Sequence, residues 1–103
     1  MNETVPILAP LSGAEIRKLK SRAQRLEVLT RLGKGGISPA FLTGLNRELE
    51  LHELVKVRLF EMKDQRYEVA DRLAQETRST LVSVIGHVIV LFRASAPKPS
   101  LTE

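Results

Sequence analysis

Apolar residues recur at the spacing of amphipathic helices in three segments of the chain. Ser12 and Glu15 form a capping box before the first segment. Ser38 and Pro39 precede the second, because serine caps helices and proline suits the first helical position. The first predicted helix ends at about Gln24, and its core residues are Ile16, Leu19, Ala23 and Leu26. The second begins at Pro39, and its core residues are Phe41, Leu42, Leu45 and Leu49. The third covers residues 65–77, and its core residues are Val69, Ala70, Leu73 and Ala74.

Short apolar or alternating runs between and after these helices predict four strands. In the second strand, apolar residues alternate with Lys56, Arg58 and Phe60, which would face away from the core. Gly86-His87 separates the last two strands and suits a type II′ hairpin. The order αβαβαββ predicts an α/β fold, a single layered domain with a mixed four-stranded sheet packed with three helices. The predicted strands cover residues 28–32, 54–60, 81–85 and 88–92.

The chain has 103 residues, which is the length of one domain. We expect a flexible N-terminal arm over residues 1–11, the folded domain over 12–93 and a disordered tail over 94–103. The N-terminus lacks the basic region of a signal peptide, and the apolar stretch over residues 81–92 is too short for a membrane helix. A cytoplasmic protein without a membrane partner is therefore expected. The absence of cysteine excludes disulfides and a thiol nucleophile.

The basic residues are concentrated near the N-terminus. Residues 13–36 contain seven basic and two acidic residues, a net charge of +5, whereas the rest of the chain has nine basic and ten acidic residues. Lys18, Arg22 and Arg25 lie on one side of the first predicted helix, where they repel one another. This asymmetry is typical of a protein that binds a polyanion. A solvated helix face is the other interpretation.

Gly33-Lys34-Gly35-Gly36 joins the first predicted strand to the second predicted helix; we call these residues the glycine loop. Glycine lets a ligand approach the backbone closely, and the start of a helix offers unpaired N–H groups and a partial positive charge. No acidic residue occurs from Gly33 to Asn46, and Lys34 adds a full positive charge. The pattern indicates a phosphate-binding loop. A plain turn is the commoner use of such glycines, so this interpretation depends on the charge asymmetry.

No catalytic or metal-binding pattern is present in the sequence. His52 and His87 are isolated, and no nucleophile elbow or Ser-His-Asp set occurs. Glu48, Glu50 and Glu53 are interpreted as a solvated helix end. We therefore predict no enzymatic activity, no metal and no cofactor.

Four segments together resemble a known family. Over about residues 12–93 the chain resembles the bacterial YhbY proteins, which are single copies of the chloroplast RNA splicing and ribosome maturation (CRM) domain. The loop alone is weakly specific, but the four segments in this order are specific. The segments are residues 17–23, residues 32–38, residues 52–58, and residues 84–86 followed by 90–93.

This resemblance implies a domain that binds RNA, with bacterial members associated with precursors of the large ribosomal subunit. It also implies a fold similar to the C-terminal domain of bacterial translation initiation factor three. The loop is similar to the GxxG of KH domains, which clamps nucleic-acid backbone. Carried over, the GxxG glycines are Gly33 and Gly36, with Lys34 and Gly35 between them. The family often has Asn where this chain has Gly35, so the loop is expected to be looser here.

The resulting hypothesis is a monomeric RNA-binding factor of large-subunit assembly that takes no small-molecule substrate. Aromatic residues are scarce, so recognition of structured RNA by shape and phosphate is expected rather than base stacking. One alternative is a protein-interaction module whose basic helix docks an acidic protein, and another is an enzyme that binds a small phosphorylated molecule in a concave pocket. The predicted RNA-binding residues are Gly33, Lys34, Gly35, Gly36, Lys18, Arg22, Arg25 and Arg31.

Overall fold

A computed structural model describes residues 11–94. The elements follow in the predicted order αβαβαββ, with one 3₁₀ turn before the third helix. The predicted arm and tail lie outside the described residues, apart from Leu11 and Ala94. The elements are α1 (Gly13–Ala23), β1 (Thr30–Leu32), α2 (Pro39–His52), β2 (Leu54–Leu59), the 3₁₀ turn (Lys63–Gln65), α3 (Arg66–Thr77), β3 (Thr80–Ile85) and β4 (Val88–Phe92).

The predicted helix starts are confirmed by their capping hydrogen bonds. Glu15 N–H donates to Ser12 Oγ over 3.1 Å, and Ser12 N–H donates to Glu15 Oε1 over 2.8 Å. At α2, Phe41 N–H donates to Ser38 Oγ over 3.1 Å, and Pro39 is the first helical residue. These bonds satisfy backbone donors that have no partner within the helix.

The four strands form one mixed sheet, as predicted, and the structure places them in the order β1-β2-β4-β3. β1 is parallel to β2, whereas β4 is antiparallel to both β2 and β3. The turn between β3 and β4 has a positive φ at Gly86 but not at His87, which is the sign pattern of a type II′ turn. β1 is therefore a three-residue edge strand, and its carboxyl end carries the glycine loop.

Helices cover the two faces of the sheet unequally. α2 and α3 pack on one face, where Val57, Leu73 and Ile89 belong to the larger core cluster. α1 packs on the other face through Leu19 and Ala23 and lies over β2, β3 and β4. On the α1 side, the outward-facing side chains of β1 and of the end of β2 are exposed to solvent.

Several predicted boundaries are wrong by one to two residues. β1 begins at Thr30 rather than residue 28, because it pairs only with the end of β2, from Val57 to Leu59. Leu26, predicted to face the core, is 39% exposed because α1 ends at Ala23. β2 ends at Leu59, α3 begins at Arg66 behind the 3₁₀ turn, and β3 begins at Thr80.

Arg93, just beyond β4, forms hydrogen bonds that connect three elements. Its Nη1 donates to Asn46 Oδ1 over 2.8 Å and also to the Thr77 carbonyl. Its Nη2 donates to the Asn46 carbonyl over 3.1 Å. Because Asn46 lies in α2 and Thr77 ends α3, the hydrogen bonds of this guanidinium connect both helices to the end of β4.

Candidate functional site

The glycine loop forms a tight turn that is open to solvent. Gly36 N–H donates to the Gly33 carbonyl over 3.0 Å, and Lys34 between them is exposed. Gly36 has a φ of +66°, a left-handed conformation that favours glycine. A Cβ added at Gly33 or Gly35 would meet no atom within 4 Å. A ligand therefore has free access to the outer side of this backbone.

The start of α2 directly follows this turn. Ser38 N–H donates to the Gly36 carbonyl over 3.0 Å, so the loop backbone and the helix start are joined by a hydrogen bond. The first turn of α2 contains no acidic residue. Its partial positive charge is therefore not neutralised by a carboxylate within that turn, and Lys34 adds to it.

Two arginines lie side by side next to the loop. Arg31 of β1 is the Cα partner of Arg58 of β2, so their side chains project from the same face on neighbouring strands. Both are exposed, and neither forms a hydrogen bond or ion pair with another residue in the range 11–94. Like charges at paired positions destabilise a sheet, so an anion bound here would relieve a repulsion.

Phe60 lies one step beyond the end of β2. Its N–H donates to the Leu32 carbonyl over 2.9 Å, and its side chain is 51% exposed. Tyr67, at the start of α3, is 62% exposed. Phe60 therefore faces away from the core, as the alternation in β2 predicts, and both positions expose an aromatic ring of the kind on which bases stack.

Two of the predicted cations, Arg22 in α1 and Arg25 just beyond it, lie at the opposite end of β2 from the loop. Arg22 and Arg25 line a cleft of about 390 Å³ that also includes His52 and Leu54. The cleft forms where β1 does not extend along β2, since β1 pairs only from Val57 onward. Six-residue β2 is roughly 20 Å long at 3.3 Å per residue, so these arginines would meet different phosphates from those at the loop.

Six exposed cations of α1, the segment after it, β1, β2 and the loop form what we call the basic track. Arg58 was missed as a site residue because its pairing with Arg31 is a long-range contact. The alternation in β2 already placed Lys56, Arg58 and Phe60 on the face away from the main core. Lys56 itself donates from Nζ to the Leu26 carbonyl over 2.9 Å, which anchors the segment between α1 and β1. The members of the track are Lys18, Arg22, Arg25, Arg31, Lys34 and Arg58.

Other site types find little support within residues 11–94. No group of three or more His, Asp or Glu residues there could hold a metal ion, and no helix of that part could span a membrane. A second cleft, of about 330 Å³, lies between α1 and the β3–β4 hairpin. Neither cleft is lined by a residue of the glycine loop, where the small-molecule hypothesis requires a pocket.

Known proteins are similar to this chain over nearly all of the described fold. The model of the CRS1 / YhbY (CRM) domain family matches residues 11–93. "Probable RNA-binding protein YqeI" of Bacillus subtilis is 35% identical over 86 residues, which are 82% of this chain and 90% of that protein. An "RNA-binding protein" of Haemophilus influenzae is 29% identical over 89 residues, 85% of this chain and 90% of that protein. The solution structure of SAV1595 from Staphylococcus aureus is 36% identical, with a TM-score of 0.75 over 88% of this chain and 96% of that one.

Proposed function

The chain belongs to the CRS1/YhbY (CRM) domain family, and from this premise we propose that it binds structured ribosomal RNA in precursors of the large ribosomal subunit as an assembly factor. One observation carries the proposal: exposed cations that form no ion pair with a carboxylate of residues 11–94 flank an open glycine turn. The names of two relatives also mention RNA binding. We propose that the protein acts as a cytoplasmic monomer, without a cofactor or small-molecule substrate.

Each part of the surface has a chemical role in this proposal. The backbone from Gly33 to Gly36 approaches the RNA backbone, and Lys34 pairs with a phosphate. The positive end of α2 attracts the same phosphate. Lys18, Arg22 and Arg25 contact further phosphates at the far end of β2. Phosphate contacts position a protein without reading sequence, so affinity should fall steeply with salt.

Substitution of Gly35 tests the loop with a matched control. Gly35→Asp adds a negative charge where a side chain has open space, and Gly35→Asn adds a neutral side chain of nearly the same size. We expect Gly35→Asp to weaken binding to purified large-subunit ribosomal RNA at least tenfold, about 1.4 kcal/mol, and Gly35→Asn to bind much more strongly than Gly35→Asp. Both variants should fold, because φ at Gly35 is not positive. Equal binding by both variants would show that the loop does not contact phosphate.

Sedimentation of cell extract at low salt tests the assembly role. Co-migration of the protein with large-subunit particles, lost after RNase treatment or at raised salt, is expected. An association that survives RNase treatment would instead identify an acidic protein as the partner of the basic helix. Migration as a free small protein under every condition would contradict the assembly role.

A further inference from the structure

α1 leaves part of one sheet face uncovered, next to the glycine loop. Arg31 and Arg58 are exposed on this face, and the alternation along β2 carries Phe60 to the same side. Phe60 exposes half of its side chain, although burying such a ring is worth about 2–3 kcal/mol. The residues combine two exposed guanidinium groups with an exposed ring.

The arginine pair has the geometry to hold a phosphate. Neighbouring strands lie about 4.8 Å apart, so two guanidinium groups at paired positions can approach one anion together. Guanidinium forks bind phosphate oxygens through two hydrogen bonds, and neither fork is occupied by a residue in the range 11–94. Glu61 follows Phe60 but is itself exposed and forms no ion pair with either arginine.

The backbone of Phe60 lies beside the start of the loop. The Leu32 carbonyl accepts the Phe60 N–H, and Gly33 is the next residue along the chain. A nucleic-acid backbone that contacts the loop would therefore pass close to Phe60. A base that is not paired in a helix can stack on such a ring, whereas the bases of a continuous duplex stack on each other.

We propose that Phe60, Arg31 and Arg58 form a subsite for one unpaired RNA nucleotide, with its base on the Phe60 ring and its phosphate between the two guanidinium groups. The subsite deepens the proposed function and rests on it, because it requires that RNA reaches the glycine loop. It makes the protein selective for RNA helices that carry a bulged or looped-out nucleotide.

The test compares two RNA probes and three forms of the full chain. One probe, the bulged probe, is an RNA duplex with a single bulged 2-aminopurine, and the other is the same duplex without the bulge. We expect the wild-type protein to bind the bulged probe more tightly and to quench its fluorescence. Phe60→Leu should weaken binding to the bulged probe about 5- to 100-fold, as expected for the loss of one base–aromatic stack, with duplex binding unchanged. Phe60→Trp should retain both the preference and the quenching.

A separate measurement, the salt dependence of binding, tests the arginine pair. Arg58→Gln should lower the slope of log affinity against log salt by about one for the bulged probe, as expected for one lost phosphate contact. Equal binding of both probes by the wild-type protein, or unchanged binding by Phe60→Leu, would overturn the subsite but leave the proposed function intact. Failure of the wild-type protein to bind either probe would overturn both. Far-UV circular dichroism of each variant verifies that it is folded.

Discussion

Gly36 and Met62 are neighbours at the glycine loop, and both have left-handed backbone conformations, with φ of +66° and +61°. A Cβ added at Gly36 would lie 3.7 Å from Met62 Cε, which is an ordinary contact. The positive φ at Gly36, rather than a lack of space, therefore restricts which residues can replace this glycine. At Gly35 φ is not positive and the surrounding space is open. Of these adjacent glycines, Gly36 shapes the turn and Gly35 keeps its outer surface accessible.

Alanine substitutions should separate these two roles. Gly36→Ala is expected to lower the free energy of unfolding by about 1 kcal/mol, the cost of placing an L-residue in the left-handed region. Gly35→Ala should leave it unchanged or raise it by about 0.5 kcal/mol, because alanine restricts the unfolded chain. Urea denaturation followed by circular dichroism measures both values. Equal effects of the two substitutions would contradict the assignment.

At the scale of elements, local signals were readable from the sequence and long-range pairings were not. Ser12 and Ser38 were recognised as caps because their partners lie three residues away. The hairpin at Gly86 was recognised for the same reason. The pairing of Arg31 with Arg58 crosses between strands separated by a helix, so the uncovered arginine pair was not predicted. The same limit applies to Arg93, which ends the last segment of the family resemblance and whose partners lie in α2 and α3.

Arg93 should contribute to stability rather than to the RNA interface. Arg93→Met keeps much of the side-chain volume but removes the donors to Asn46 and Thr77. We expect the free energy of unfolding to fall by about 2 kcal/mol, the range for lost hydrogen bonds to a charged group. The control is Arg58→Met, at an exposed arginine that forms no hydrogen bond or ion pair within residues 11–94, which should change stability by less than about 0.5 kcal/mol. Urea denaturation of both variants checks this; similar losses would contradict the role of Arg93.

At the scale of the whole molecule, the buried core lies mainly on one face of the sheet, and the proposed RNA surface lies on the other. Among residues 11–94, twelve buried residues form the cluster beneath α2 and α3, whereas five form the cluster beneath α1. The main core therefore depends little on the α1 side. That side exposes cations instead. Their mutual repulsion lowers the stability of the fold, but their summed positive charge attracts a polyanion. The basic track is thus a property of the arrangement of α1, β1 and β2 together.

The salt dependence of RNA binding should show whether the cations of the basic track contact phosphates. Replacing Lys18, Arg22 and Arg25 with Gln lowers the formal net charge from +4 to +1 and removes three cations of the track. If all three contact phosphates, the slope of log affinity against log salt should fall by about two to three, at roughly 0.7–0.9 per contact. Fluorescence anisotropy with a labelled large-subunit ribosomal RNA fragment at several salt concentrations measures the slope.

A second triple variant separates position from net charge. Replacing Arg47, Arg72 and Arg78 with Gln gives the same net charge, but these exposed residues belong to α2 and α3 or directly follow α3. α2 and α3 cover the opposite face of the sheet. Loss of these three arginines should therefore weaken RNA binding only through the overall electrostatic field of the protein and leave the slope of log affinity against log salt nearly unchanged. Equal losses of slope in the two variants would mean that RNA responds to net charge alone. A loss confined to the α1 variant would place the RNA backbone along the basic track.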